Sequence, residues 1–569
     1  MALALCLGAC SSGQDDAGSD GRATTSGRTG RTAPEPTAGE FAVRRMTLRQ
    51  AAGQVIVSAW SGTASPAPLV RRLHLGGVIA FSDNVTSPAQ IRTVNRSVQR
   101  VVSRRGYPAF VGVDQEGGLV ARVGSPSTAF PAFMSDGAAH DTALTRRAAR
   151  ASAAEMRGLG FDVVFAPVAD VSAGDRDAVI GSRAAGGRPA QVARQVVAAA
   201  HGIEDAGALP VVKHFPGHGS LSSDSHLSLP VQTRSLARLE RTDLVPFAAS
   251  VAAHLPAILT GHIDVRAVDR GVPASISRKV TTGLLRRRMG YDGLVVTDAL
   301  DMQGVQRVAP GARASVRALR AGADVLLMPP DPRAARDAVV RAVRTHHLSR
   351  ARLDEAAAAM IDTLRSLPTP SASRAERVGA GRDAADALAR RSITSVAGPC
   401  SGRLIADRVR VVGEPSDVAD FEATMSARGV SIAHDYTKRV RSGSRVVVVC
   451  HRTRVTRKKV KVKKKVVVKK TRKEIPVRKR VPVFKQVTVI ADAPTVALVG
   501  SSGGTPGAAD ITVALDRPGV LGRVGSRVEL ATYGDVPASM SALADVLLGR
   551  ATAPGRLPLA VPGAERSGC

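Results

Sequence analysis

The chain has 569 residues, 44% of them apolar, and a formal net charge of +32. That apolar share excludes a wholly disordered chain, and the length suffices for more than one packed core. The charge suggests a nucleic-acid partner. However, 17 Lys and Arg residues lie in 452–485 against a single acid, Glu474, so half of the excess is local. Phe484 is the one aromatic side chain there for base stacking, and no nucleic acid is expected.

A short apolar run at the start ends in Leu7-Gly8-Ala9-Cys10. This resembles a bacterial lipobox, in which the cysteine takes a lipid and becomes the mature N-terminus. Cys10 is therefore the expected lipidation site. The expected location is the cell envelope, lipid-anchored on the extracytoplasmic side of the membrane, or secreted. Residues 11–44, rich in Ser, Gly, Thr, Asp and Pro, read as a flexible tether, so 1–45 is signal plus tether. No later run reaches the roughly 18 apolar residues of a membrane span. Cys6 lies in the presumed signal, and the other three cysteines, Cys400, Cys450 and Cys569, lack metal-binding spacing. No disulfide framework is expected, with Cys400–Cys450 the one pairing considered.

From Met46 onward eight short apolar runs recur, at 54–58, 77–81, 109–114, 162–168, 209–213, 256–261, 293–298 and 323–329. Helical periodicity separates them, at 87–104, 143–158, 189–206, 278–289 and 312–321. Continuous rather than alternating apolar runs suit parallel strands covered on both faces. Eight such units predict a (β/α)8 TIM-type barrel over 46–365, with a doubly wound open sheet as the alternative. Helical signals continue over 334–364, and 366–382 reads as a Pro/Ser linker. The remainder, 383–569, reads as a smaller α/β sandwich domain. Its helices are predicted at 383–392 and 538–549, and its strands at 408–412, 445–449, 487–490, 495–499 and 510–514. Within it, 452–485 alternates Lys with Val in places, as a two-faced strand would. Its charge density predicts that it does not fold without neutralisation. Two readings stand for it: adhesion to anionic envelope polymers or membrane lipids, and a solvated insertion without a partner.

Ionisable residues collect where the predicted strands end: Asp114, Asp170, Lys213 with His214, His262 and Asp298. One such Asp would be a helix cap. Five ionisable strand ends on one face of a barrel mark an active site. The densest stretch is Lys213-His-Phe-Pro-Gly-His-Gly219 followed by Asp224-Ser-His226, a strand end running into a Gly/Ser-rich loop.

That stretch resembles the signature of glycoside hydrolase family 3 β-N-acetylglucosaminidases. Asp114-Gln-Glu-Gly-Gly118 with Arg122 resembles the family's early substrate-binding motif. Phe165-Ala-Pro-Val168 with Asp170, and Val179-Ile-Gly-Ser-Arg183, resemble its next block. Gly293 to Met302 is similar to its nucleophile segment. The tail from Ala531 to Pro558 is similar to the end of the second domain in two-domain members. The resemblance implies Asp298 as nucleophile, His226 as acid/base and Asp224 as its orienting partner. It implies Asp114, Arg122, Arg183, Lys213 and His214 as the residues that hold the sugar. No cofactor is implied, and the expected substrate is an amino-sugar glycan, with peptidoglycan fragments as its source.

The residue types fit that chemistry. Retaining glycoside hydrolysis needs a nucleophile beneath the sugar and a proton donor at the leaving oxygen. A histidine beside a carboxylate can donate a proton and later take one from water. Asp224 lies two positions before His226, a non-helical spacing, so loop conformation must bring them together, and the glycines and serines around them allow the loop to move. Glu116 reads as a salt-bridge partner of an arginine, His218 as a brace of the loop, and Asp170 as a cap or a support of the site floor. Three alternatives stand beside hydrolysis: phosphorolysis of the same glycosides, a non-catalytic envelope-binding lipoprotein, and a metal site at His214, His218 and His226. The last lacks HExxH-type spacing, and no metal is expected.

Overall fold

A computed structural model describes residues 35–569, apart from 178, 369–376, 463–464, 501–508 and 566. The lipobox and Cys10 lie outside the described residues, as does part of the predicted linker.

Eight parallel strands form a ring. They are β1 (Ile56–Ser58), β2 (Gly77–Ala80), β3 (Phe110–Val113), β4 (Val163–Val164), β5 (Leu209–Pro210 and Val212–Phe215), β6 (Ala257–Thr260), β7 (Leu294–Thr297) and β8 (Leu326–Leu327). Backbone ladders join β8-β1-β2-β3-β4-β5 on one arc and β5-β6-β7 on the other. A parallel bridge from Val296 to Val325 closes the ring between β7 and β8. The predicted barrel is therefore the observed one. Each of β1 to β8 is buried along its length, which is why these segments read as continuous apolar runs. Phe110, Phe165, Leu259 and Val296 pack inside the barrel with Val57 and Leu327.

The helices follow the predicted periodicity: Pro88–Val102, Thr142–Gly158, Pro189–Asp205, Lys279–Arg288, wound in wide i→i+5 turns, and Arg313–Ala321. The long helical signal resolves into two helices, Pro332–Arg344 and Arg350–Ser366. The tether prediction needs correction at its end. Ala38–Arg44 is a helix, opened by a Thr37/Glu40 capping box. It docks on the last barrel helix, where the Gly39 backbone N–H donates to Asp362 Oδ1 at 2.6 Å. Composition marked these residues as loose, but the cap and the docking contact hold them.

The second domain begins at helix Arg382–Ser392. Its six-stranded sheet runs in the order Thr394–Ala397, Val528–Ala531, Ile511–Ala514, Thr495–Val499, Arg408–Val412, Ser431–Ile432. The first pair is antiparallel and the others parallel. The strands predicted at 445–449 and 487–490 belong elsewhere. They lie in an antiparallel hairpin, Tyr436–Val462 paired with Lys465–Val489. The hairpin corrects a second expectation: the basic stretch folds as a ribbon, with Arg454, Arg457, Lys470, Arg472 and Lys479 among its exposed cations. A third correction concerns the cysteines. Cys400 is bonded to Cys569, with Cα atoms 5.8 Å apart. Cys450, the partner considered from sequence, is registered in the hairpin opposite Val477.

The two domains share a core. Phe130, Ala139, Leu144 and Ala148 of the barrel are buried in one cluster with Leu388, Val409, Leu530 and Leu543 of the second domain.

Candidate active site

A cavity of about 1080 Å³, counting its open mouth, lies at the C-terminal ends of the barrel strands. Asp114, Arg122, Arg183, Lys213, His214, His226 and Asp298 all line it. Asp224 stands behind His226. The predicted site residues thus converge, although they span 185 positions of sequence, from Asp114 at the end of β3 to Asp298 after β7.

One wall is an ion network. Lys213, within the second stretch of β5, donates from Nζ to Asp114 Oδ1 at 2.5 Å and sits 2.6 Å from Glu116 Oε1. Arg183 grips the same Glu116 with two donors, Nε at 2.8 Å and Nη2 at 2.9 Å. Burial would push the Glu116 carboxyl up, but the Arg183 and Lys213 charges beside it hold it well below the usual carboxylate range. The same pairing outweighs burial at Lys213 and keeps its ammonium charged. Glu116 is therefore the hub that fixes both cations, as its reading as a salt-bridge partner anticipated. Arg122 completes this side, its guanidinium 5.5 Å from the Phe81 ring centroid. Its Nε is buried without a hydrogen-bond partner.

The floor is built on Asp170, which is fully buried. Its Oδ2 lies 2.7 Å from His214 Nδ1, and its Oδ1 accepts the His218 backbone N–H at 2.5 Å. It supports the floor, the second of the roles its strand-end position allowed. His218 lines the cavity as well, with both ring nitrogens buried and lacking a hydrogen-bond partner. Burial lowers its pKa, so the ring is neutral.

Asp298 follows β7. Its backbone N–H donates to Thr260 O at 2.9 Å, and its Oδ1 accepts the Ala299 N–H at 2.9 Å. Burial opposes ionisation here too, yet the nearby imidazoles of His262 and His214 and the Ala299 N–H hold its pKa below the ordinary 3.8. His262 is fully buried and lies outside the cavity wall. Its Nε2 lies 2.8 Å from Ala299 O, which can only accept, so this nitrogen carries the proton. Its Nδ1 lies 2.7 Å from the Ser275 hydroxyl. His262 thus anchors the peptide immediately after Asp298, a role that sequence position alone left undefined.

Asp224 and His226 sit on the Gly/Ser loop after β5. Asp224 Oδ1 accepts the His226 backbone N–H at 2.8 Å and lies 2.7 Å from its Nδ1. The pair is folded back on itself over two residues, as a non-helical Asp-x-His spacing requires. The His226 side chain is 67% exposed and that of Asp224 36%, so this is the outward face of the site. Burial would raise the Asp224 carboxyl, but the His226 backbone and ring donors lower it.

A (β/α)8 barrel with an ionised carboxylate on its floor, a carboxylate–histidine pair at its mouth and an ion-paired sugar-sized pocket between them defines a glycosidase domain. Residues 47–363 match the glycosyl hydrolase family 3 N-terminal domain. The chain belongs to glycosyl hydrolase family 3. It is 34% identical over 334 residues to β-hexosaminidase A of Pseudoalteromonas piscicida, an alignment spanning 54% of this chain and 56% of that one. It is 38% identical over 267 residues to a β-hexosaminidase of Alkalilimnicola ehrlichii, across 46% of this chain and 75% of the relative. The structure of a family 3 β-N-acetylglucosaminidase from Paenibacillus sp. superposes with a TM-score of 0.73 at 26% identity. That superposition covers 91% of this chain and 99% of the other, so it extends over both domains.

Proposed function

We propose that the protein is a retaining β-N-acetylhexosaminidase that removes terminal β-linked N-acetylglucosamine. The observation that carries this reading is the division of charge in the cavity. Asp298 is held ionised on the rigid floor, and the Asp224–His226 pair faces it from a loop. In this mechanism Asp298 attacks the anomeric carbon and forms a glycosyl-enzyme, while His226 gives its Nε2 proton to the leaving oxygen. Asp224, 2.7 Å from Nδ1, orients the ring. Water then attacks the glycosyl-enzyme, and His226 takes the water's proton. Asp114 accepts hydrogen bonds from sugar hydroxyls, and Arg183, Arg122, Lys213 and His214 donate to the ring substituents.

The natural substrates on this reading are amino-sugar fragments of peptidoglycan. The protein is placed outside the cytoplasmic membrane by a lipid on Cys10, with the 452–485 ribbon holding it to anionic envelope polymers. The support is the lipobox-like start, the Cys400–Cys569 disulfide, which suits an oxidising compartment, and the exposed cations of the ribbon.

The test is release of the aryl group from an aryl β-N-acetylglucosaminide, with and without inorganic phosphate. The wild type releases free N-acetylglucosamine at a rate independent of phosphate. Asp298→Asn and His226→Ala each lower kcat/KM by about a thousandfold. A sugar phosphate as product replaces hydrolysis by phosphorolysis. No turnover from pH 5 to pH 8 overturns the enzyme reading.

A further inference from the structure

The sugar-binding wall is held from outside the barrel. The loop after β4 carries the residue that grips Glu116, Arg183, on a single turn, Gly181–Arg183. What shapes that turn is Asp177, which is fully buried. Its Oδ1 accepts the N–H groups of Val179 and Ile180 at 3.3 and 2.8 Å, and its Oδ2 accepts that of Gly181 at 3.2 Å. Val179 and Ile180 also line the cavity, so one carboxylate sets three neighbouring pieces of its wall.

Asp177 is in turn held by the second domain. Arg517 reaches across from that domain and donates Nη1 to the Asp177 carbonyl oxygen at 2.7 Å. Its aliphatic stem lies flat on Gly181. A Cβ built there would stand 3.0 Å from Arg517 Cδ, and Gly181 has φ +56°, a conformation that glycine adopts without strain. Two further contacts flank this one. Arg523 pairs with Asp175, and the Gly187 N–H donates to Pro558 O at 3.1 Å. The Arg523 pair is exposed on both sides, at 55% and 46%, and exposed pairs contribute little. Arg517 is the contact that meets the turn itself.

We propose that Arg517 is a positioning residue for sugar binding. By holding the Asp177 turn it aims Arg183 at Glu116 and the substrate, so the subsite is complete only when the second domain is docked. This rests on the hydrolase reading for its kinetic readout but not for its structural one.

The experiment compares Arg517→Ala, Arg517→Lys and Arg523→Ala in the full chain. Arg517→Ala raises KM for the aryl β-N-acetylglucosaminide about tenfold, with kcat within about threefold of wild type. Arg517→Lys, which keeps a donor for the Asp177 carbonyl, recovers most of that loss. Arg523→Ala stays within about twofold of wild type. In parallel, hydrogen exchange at the amides of Ile180 and Gly181 accelerates in Arg517→Ala and not in Arg523→Ala. A folded Arg517→Ala protein with wild-type KM and unchanged exchange overturns the proposal. If the wild type fails to turn over the glycoside, the hydrolase reading falls, and the exchange measurement alone decides the role of Arg517.

Discussion

Buried carboxyl groups in this protein go to opposite electrostatic ends. Glu116 is flanked by two cations and stays ionised, whereas Asp136 has none close by. Burial pushes Asp136 from its ordinary 3.8 up to about 7, offset only in part by a hydrogen bond with Thr145. A carboxyl whose folded pKa is raised favours the protonated form. The folded state is therefore penalised as pH rises above 3.8, and the penalty stops growing near 7. Asp136→Asn removes the charge at nearly constant shape. It is expected to raise the Tm relative to wild type by an amount that widens between these two pH values and is constant above them. A Tm difference that is flat with pH would refute this. The same logic explains which site residues are legible in sequence. Lys213, Asp114 and Asp298 are ionisable residues at the ends of apolar runs, and such positions are conspicuous. The bond from Glu116 to Arg183 crosses 67 positions, and no local pattern specifies it. Asp170 is conspicuous by position, but only the fold distinguishes a capping role from the support it gives to His214.

Among elements, the hairpin is the one most at odds with its composition. Its strands pair residue for residue from Tyr436 opposite Val489 to Val462 opposite Lys465, with two bulges. At about 3.3 Å per residue, 25 paired residues make a ribbon on the order of 80 Å long. Arg454, Arg457, Lys470, Arg472 and Lys479 are exposed on it and have no ion-pair partner among the described residues. Arg439 stacks 4.9 Å from the Phe484 ring centroid near its base. The register sets like charges opposite one another, as at Arg454 with Lys473 and Arg457 with Lys470, which weakens the pairing, and solvent and salt screen that repulsion on an exposed ribbon. Excising 442–483, at the register where Arg441 faces Phe484, shortens the ribbon and leaves the second-domain sheet intact. Binding to isolated cell walls at low salt should fall at least about tenfold, and the wild-type interaction should itself weaken as salt rises. Hydrolysis of the soluble aryl glycoside should not change. Repeating the fractionation with Cys10→Ser separates lipid anchoring from polymer binding. Wall binding that is insensitive to both changes sinks the adhesion reading. The barrel strands were legible because they are buried on both faces. The short strands Thr394–Ala397 and Ser431–Ile432 were not, since neither carries a long apolar run.

At the scale of the whole molecule the barrel and the second domain are not separable modules. The barrel side chains Phe130 and Leu144 complete the core of the second domain, and the second domain's Arg517 and Pro558 brace a barrel loop. Sequence divides the chain at its Pro/Ser stretch but carries no sign of this mutual packing, because each contact joins residues far apart in the chain. The disulfide acts at the same scale, spanning 169 positions. In the chain-entropy account a loop of that size contributes about 5 kcal/mol. Replacing both Cys400 and Cys569 by Ser should lower the Tm by several degrees and make it insensitive to reductant. An unchanged Tm would assign the bond no stabilising role.

The closing segment behaves like a fastened strap. The Gly555 N–H bonds to Ile393 O at 2.7 Å, Arg556 to Ala138 O at 3.0 Å, and Pro558 receives Gly187, before Cys569 is bonded to Cys400. A pull on this segment is therefore borne by a covalent link within the second domain before it reaches the loop that carries Arg183. Local opening of this segment's backbone hydrogen bonds therefore leaves it tied to the second domain. An oxidised molecule should keep the Arg183 loop in register under proteolytic attack for as long as the buckle stays shut, and loosen it once the buckle is opened.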